Sequence, residues 1–361
     1  MTTLGTGSSA LPVLEKTMPK GEIVLPVQEL EDVLTRIFRK NGLPDDETAI
    51  LVDTLLDAEF RGVKTHGLSR VKLYCQKIIA GSMVIPTQIT PLSDQHGASC
   101  LDGQDGLGQW VAYKAMEEAI AKASRYGVGA VSVRNSQHFG TAGYYANMAA
   151  DRNMIGLAFT NASPRLAPWG GTSKLIGNNP WSIALPTDNP DIPFVLDISN
   201  SVTSAGRIRQ AQRRGEKLPD SWALDANGEI TTDPEAALQG ILLPFGQHKG
   251  YGITLAISVL TSLLSGGVLD TGVKTMDDPN DKQHVSHLFI ALNINFFQPI
   301  EHFKERMGDL IGQLRSSQVL PGVARIYYPG ERGYLQKHEI VKAKKASVDQ
   351  AVWEGIVALL N

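Results

Sequence analysis

The chain has 361 residues, of which 42% are hydrophobic and 20% charged, with a formal net charge of −3. That balance is ordinary for a globular protein and provides no basic field to recruit nucleic acid or acidic lipid. A small molecule is the partner to expect, and two cysteines, Cys75 and Cys100, outside any C-x-x-C pair fit a reducing cytoplasm.

Residues 1–22, opening MTTLGTGSSALPVLEKTMPK, lack a basic segment followed by an apolar one and read as a flexible arm rather than a signal peptide. VQELEDVLTRIFRKN then places Val27, Leu30, Val33, Leu34 and Ile37 at helical spacing, with Gly42 as a stop. A second helix is predicted from about Pro44 to Phe60, its acidic DDE complementing the helix dipole, and a third from about Leu68 to Ile79. Residues 23–90 are thus expected to form a helical lobe, joined by C-terminal helices within 300–361.

After Pro86 the pattern changes. TQITPLSDQHGASCLDG reads as a hairpin, followed by a helix from about Gln109 to Tyr126, the strand GAVSVRN and a helix through GYYANMAADR. Strands MIGLAFTN, WSIALPT and PFVLDIS succeed it, so the fold class is α/β, with a mixed α/β lobe over 91–299. A charged helix near 204–214 leads into the turn-rich RRGEKLPDSWALDANGEITTD, a buried helix at 250–265, the acidic loop MDDPNDK and the strand HLFIALNI. The apolar run YGITLAISVLTSLLSGGV is too short to cross a bilayer. A helix near 300–316 and a final amphipathic helix capped by Ser347 or Asp349 complete the pass.

No G-x-G-x-x-G, P-loop or G-x-S-x-G is present, so a nucleotide here is not held by an ordinary Rossmann turn and a serine hydrolase has no anchor. Four segments carry possible chemistry. In AEFRGVKTHGLSRVKLY, His66 and Arg70 stand one helical turn apart: either a solvated turn, or a proton-transfer group beside a fork of donors for a carboxylate. VRNSQHFGTAGYYAN ends a strand in polar residues and glycines, where ligands collect in open α/β sheets, or is a polar loop before a helix capped by Thr141. GNNPWSIALP is a backbone-lined pocket or a plain turn. In LPFGQHKGYG, Lys249 stands at a helix start suited to phosphate, or is simply solvated. His284 and His287, with Asp277, Asp278 or Asp281 nearby, read better as structural than as metal ligands, and no metal site is expected.

In this order, RGVKTHGLSR, RNSQHFG, GNNPWSIALP, VLDIS, LPFGQHKGYG and YYPGERG resemble the non-Rossmann malate/L-lactate dehydrogenase family, which also includes ureidoglycolate, sulfolactate and diketogulonate oxidoreductases and cyclic-imine reductases. The resemblance implies a homodimer with an unusual site for NAD or NADP between domains and a small carboxylate as substrate. It assigns proton transfer to His66, supported by the hydroxyl of Thr65 where the family usually has serine, and the substrate carboxylate to Arg70. His138 has been given the proton in at least one relative, so both histidines stay in play. Ser136, Gln137, His138, Phe139 and Gly140, then Asp197, Ile198 and Ser199, then His248, Lys249 and Gly250, together with Arg306, are implied to line the dinucleotide. Asn178 is implied to lie near the substrate. Arg207 stands where cyclic-imine reductases of the family carry an acid, which tilts the expectation toward hydride transfer at C2 of a malate-, lactate- or sulfolactate-type 2-hydroxy acid. Reduction of a cyclic imine-2-carboxylate and a non-catalytic dinucleotide binder are the alternatives.

Overall fold

The run MIGLAFT alternates between buried and half-buried residues along Met154–Thr160, the period-2 signature of a strand with two unlike faces. In a computed structural model, which describes residues 21–360, it lies inside a seven-stranded mixed sheet. The strand order is Thr90–Gln95, Ala98–Asp102, Val128–Ser136, Val285–Asn293, Met154–Thr160, Trp181–Leu185, Phe194–Ile198. Ala98–Asp102 and Val128–Ser136 run parallel, and the other neighbours in this sheet pair antiparallel. This is not the all-parallel sheet on which a Rossmann turn is built.

The helices Gly108–Tyr126 and Ala142–Ala150 pack against the sheet through alanines and two close approaches. A Cβ on Gly129 would stand 1.9 Å from the carbonyl oxygen of Ala119, and one on Gly156 would stand 2.0 Å from that of Ala146. Only glycine lets helix and strand backbones meet there. Met307 and Ile311 of the helix Ile300–Ser316 join this same core, so that helix packs on the sheet rather than with the helical lobe, where sequence had placed it.

The second core belongs to the helices Val27–Lys40, Asp45–Phe60 and Val71–Ile79, through residues such as Leu34, Leu51, Leu55 and Tyr74. Val348 and Trp353 from the far end of the chain complete it. Strand Glu22–Pro26 pairs antiparallel with Lys345–Asp349, so Glu22 is strand, and residues 1–20 of the expected arm lie outside the described residues. Ser347 lies in that strand as well. The cap is Asp349, whose carboxylate accepts the Val352 N–H at 3.0 Å. Helix Glu331–Ala343 was not anticipated.

The helix expected to be buried at 250–265 is the one clear reversal. It forms as His248–Ser258, continued by the π-helical turn Val259–Leu263. Its small polar residues Thr254, Ser258, Thr261 and Ser262 face the protein, while Ile253, Leu255, Val259, Leu260, Leu263 and Leu264 face outward. Among the described residues no helix is long and apolar enough to cross a membrane.

Candidate active site

The segment between the second and third helices is two 3₁₀ turns, Lys64–His66 and Leu68–Arg70, rather than the start of a continuous helix. A buried carboxylate organises them: Glu59 accepts the Leu68 N–H at 3.0 Å. A Cβ on Gly67 would fall 2.4 Å from that carboxylate, which is why a glycine follows the histidine. Ser69 Oγ donates to the Lys64 carbonyl at 2.7 Å, and Arg70 Nε donates to the Thr65 carbonyl at 2.6 Å. The guanidinium is thereby tied to its own turn, and among the described residues its remaining N–H groups have no hydrogen-bond partner, which suits a fork around an anion. Thr65 Oγ1 stands 3.0 Å from His66 Nδ1.

Across the lobe boundary the Val128–Ser136 strand delivers His138. Its ring stacks on that of His66 with centroids 5.4 Å apart and planes 19° from parallel. Its main-chain N–H donates to Gln283 Oε1 at 3.0 Å. Burial, reinforced by the Arg70 and Arg61 guanidinium groups, pulls His66 down from its ordinary value to about 4. Burial and the neighbouring His66 and Arg70 push His138 down as well. Both rings are neutral at pH 7.

Two contiguous hollows meet at His66. A cavity of about 190 Å³ is lined by Thr65, His66, Arg70, His138, Phe139 and Gly140, and by Asn161, Arg165, Asn178, Arg209 and Asp277. A longer cleft of about 380 Å³ shares His66, Gly140, Asn178, Pro180 and Ser204 with it and runs on past Arg61, Asp197, Ile198, Ser199, Gly330 and Arg332. Asp197 accepts the Gly143 N–H at 2.9 Å. Its carboxyl is raised by burial, with Arg61 pulling the other way.

Several residues singled out in the sequence thus converge: Thr65, His66, Arg70, His138, Phe139, Gly140 and Asn178 on the cavity, and Asp197, Ile198 and Ser199 on the cleft. Others stand elsewhere. Ser136 and Gln137 are fully buried behind the strand end, with Gln137 Nε2 donating to the Ser82 carbonyl at 3.0 Å. His248 and Lys249 are exposed and line neither hollow, and Gly250 is packed against the Phe245 backbone. Arg306 lies in a separate surface depression. Arg207 is exposed and points away, and the arginine that reaches the cavity from the same helix, Ala205–Arg214, is Arg209.

Arg209 and Arg165 were missed. Both face Asp277 on the acidic loop, at 3.1 and 3.7 Å. Ala205, Gly206 and Arg209 share one helix face at i, i+4 spacing, a signal available in the sequence, whereas only the tertiary fold brings Arg165 and Asp277 to them. His284 sits 2.8 Å from Asp105, and His287 Nδ1 sits 2.8 Å from Thr160 Oγ1. Among the described residues no group of three or more metal-ligating side chains occurs.

Comparison with known proteins adds an independent line. A family model described as malate/L-lactate dehydrogenase matches residues 25–357. The malate dehydrogenase of Pyrococcus abyssi is 40% identical over 86% of this chain and 87% of its own. The L-sulfolactate dehydrogenase of Methanocaldococcus jannaschii is 37% identical over 94% of this chain and 97% of its own. A crystal structure of malate dehydrogenase from Entamoeba histolytica superposes with a TM-score of 0.88 at 30% identity, covering 94% of this chain and 97% of that one. Two further relatives, each 31% identical, carry the cofactor in their names: ureidoglycolate dehydrogenase (NAD(+)) of Escherichia coli, matched over 89% of this chain and 90% of its own, and (2R)-3-sulfolactate dehydrogenase (NADP(+)) of Chromohalobacter salexigens, over 91% and 96%.

Proposed function

This chain belongs to the malate/L-lactate dehydrogenase family, and from that premise we propose that it is an NAD(P)-dependent dehydrogenase acting on small 2-hydroxy acids that carry a second anionic group. The observation that carries the reading is the cavity at His66, which is lined by Arg70 and also by Arg165 and Arg209. One arginine answers one carboxylate; two more, sharing the single counter-charge of Asp277, leave positive charge for a second anion.

The longer cleft fits a dinucleotide. Its wall includes Gly330, Arg332 and Gly333 at the start of helix Glu331–Ala343, whose N-cap residue Gly330 supplies no side-chain hydrogen bond. Main-chain N–H groups at a helix start, with an arginine beside them, suit a diphosphate. Gly140, with nothing within 4 Å of where a Cβ would lie, leaves the passage between the hollows open. A nicotinamide held there would supply the hydride acceptor for C2 in oxidation and the hydride donor in reduction.

The chain's own residues do the remainder. Arg70 fixes the C1 carboxylate, so that C2 and its oxygen are oriented by a group already tied to the Thr65 carbonyl. His66, neutral at pH 7, accepts the hydroxyl proton as the C2–H bond breaks and C=O forms, and it gives that proton back in the reverse direction. Arg209 and Arg165 take the distal anion, displacing Asp277. A substrate matrix tests this. Turnover of four-carbon 2-oxo diacids and 2-oxo-3-sulfonates well above that of pyruvate, with NADH or NADPH, is the expected result. Preference for pyruvate or for a cyclic imine acid would sink it.

The same reading includes a homodimer that buries the outward apolar face of the 248–264 helix. A row of six aliphatic side chains outside and hydroxyls inside is the polarity of an interface helix. Light scattering should give twice the chain mass for the wild type and the single mass for Leu260→Asp. Free thiols at Cys75 and Cys100 suit the cytoplasm proposed for it.

A further inference from the structure

The hydroxyl of Tyr74 lies 2.8 Å from Nδ1 of His138. The main-chain N–H of Gly140 approaches the same atom at 3.4 Å. A main-chain N–H can only donate, so the Nδ1 it faces must present a lone pair. Tyr74 is fully buried, and burial keeps its phenol protonated although the Gln109 side chain, hydrogen-bonded to it, pulls the other way; with Gln109 donating to the phenol oxygen, the O–H is left for the Nδ1 lone pair. Among the described residues Nε2 of His138 has no hydrogen-bond partner, and the ring stands on the wall of the small cavity.

We propose that Tyr74 fixes His138 as the Nε2–H tautomer, so that His138 serves as a neutral hydrogen-bond donor to the C2 oxygen while His66 exchanges the proton. This rests on the dehydrogenase reading above and divides the work between two histidines, of which the sequence favoured His66 for the proton and kept His138 as the alternative. For His138 to act as a base, Nε2 would have to carry the lone pair and Nδ1 the proton. That proton would then face the Gly140 N–H, donor against donor. Nor is an imidazolium favoured: the charged or chargeable groups around the ring, His66, Arg70, His287 and Lys77, are all cations or potential cations.

The chemistry follows from that fixed donor. As hydride reaches C2 of a 2-oxo acid, negative charge grows on the C2 oxygen, and an N–H already aimed there stabilises it without reorganisation. The protonated form of His66 then gives its proton to that oxygen, the alcohol forms and the neutral ring is left. In oxidation the same N–H holds the hydroxyl oxygen while its proton passes to His66. Tyr74 touches no substrate atom and is a positioning residue.

The test begins with the resting, full-length, ¹⁵N-labelled protein, whose long-range ¹⁵N–¹H histidine spectrum reports each ring tautomer. His138 should show a protonated Nε2 and an unprotonated Nδ1, and Tyr74→Phe, which keeps the ring and the packing, should mix the two tautomers. Kinetics supplies the second arm. His138→Gln keeps an N–H donor but cannot shuttle a proton, so it should lose only about tenfold in kcat, whereas His138→Ala should lose roughly 10²–10³-fold, as for a missing oxyanion donor. His66→Gln should lose roughly 10²–10⁴-fold. A protonated Nδ1 in the wild type, or His138→Gln as damaged as His66→Gln, would overturn the proposal. Absence of wild-type turnover with every 2-oxo acid instead defeats the dehydrogenase reading and the role given to His138, while the spectrum still reports the tautomer.

Discussion

The two walls of the small cavity are built in different ways. One is local: Thr65, His66 and Arg70 lie within six positions, held by the Glu59 carboxylate and by hydrogen bonds inside the turn itself. The other is assembled from afar, with Arg165, Arg209 and Asp277 brought together from three separate segments and joined only by partly exposed ion pairs. On the proposed reading the local wall carries chemistry common to any 2-hydroxy acid and the assembled wall meets the part of the substrate that varies, so reaction type and substrate choice would reside in separable structures.

The largest effect should come from the local wall. His66→Ala should lower kcat by about 10²–10⁴-fold for every substrate alike, with dinucleotide binding, followed by fluorescence titration, unchanged. A loss confined to one substrate would break the division. Next is the support beneath the longer cleft, which Arg61 lines. Asp57 is buried between Arg61 at 2.6 Å and Lys337 at 2.8 Å, and Arg61 also donates to Thr141 Oγ1 at 2.8 Å. Burial raises the Asp57 carboxyl, but the two cations outweigh it and hold it below its ordinary value. Asp57→Ala strands Arg61 as an uncompensated buried charge and should cost about 3–5 kcal/mol, read as a fall in the urea midpoint.

The assembled wall should respond more selectively. Arg209→Ala removes one charged donor for the distal anion, worth about 1.5–3 kcal/mol, so kcat/KM for a 2-oxo diacid should fall by roughly 10–150-fold at that energy. Pyruvate, which lacks the distal group, should be nearly indifferent. Equal losses on both substrates would show that Arg209 supports the cavity rather than reading the substrate.

The same contrast explains what was legible in the sequence. Helical spacing at Val27, Leu30, Leu34 and Ile37 foretold the first helix, whereas the one-turn spacing of His66 and Arg70 left a solvated turn open and only the family resemblance singled out Thr65, His66 and Arg70 together. Arg207 came from the family resemblance, which does not say which face of its helix meets the cavity in this chain; that face carries Ala205, Gly206 and Arg209. Arg165 and Asp277 carried no local signal, since sheet and loop packing alone bring them to that wall. The 250–265 run misled for a related reason. Apolar content does not say which face of a helix is buried, and here the hydroxyls face the protein's own interior while the aliphatic residues face outward.

The smallest effect tests the local wall by titration. In oxidation His66 must be neutral, so protonation at low pH removes the base and lowers kcat/KM, the quantity that reports the free enzyme. An unperturbed histidine, near 6.5, would be about nine-tenths protonated at pH 5.5. With His66 pulled down to about 4 by burial and by Arg70 and Arg61, oxidation at pH 5.5 should proceed about tenfold faster than that ordinary histidine would allow. The reverse direction needs the protonated ring, and its kcat/KM should therefore decline as pH rises above about 4. Opposite slopes in the two directions, hinged well below 6.5, would place the proton on a histidine enclosed by the local wall. A common break near 6.5 would mean that the proton-transfer group stands in water, and the cavity at His66 would lose its claim to the reaction.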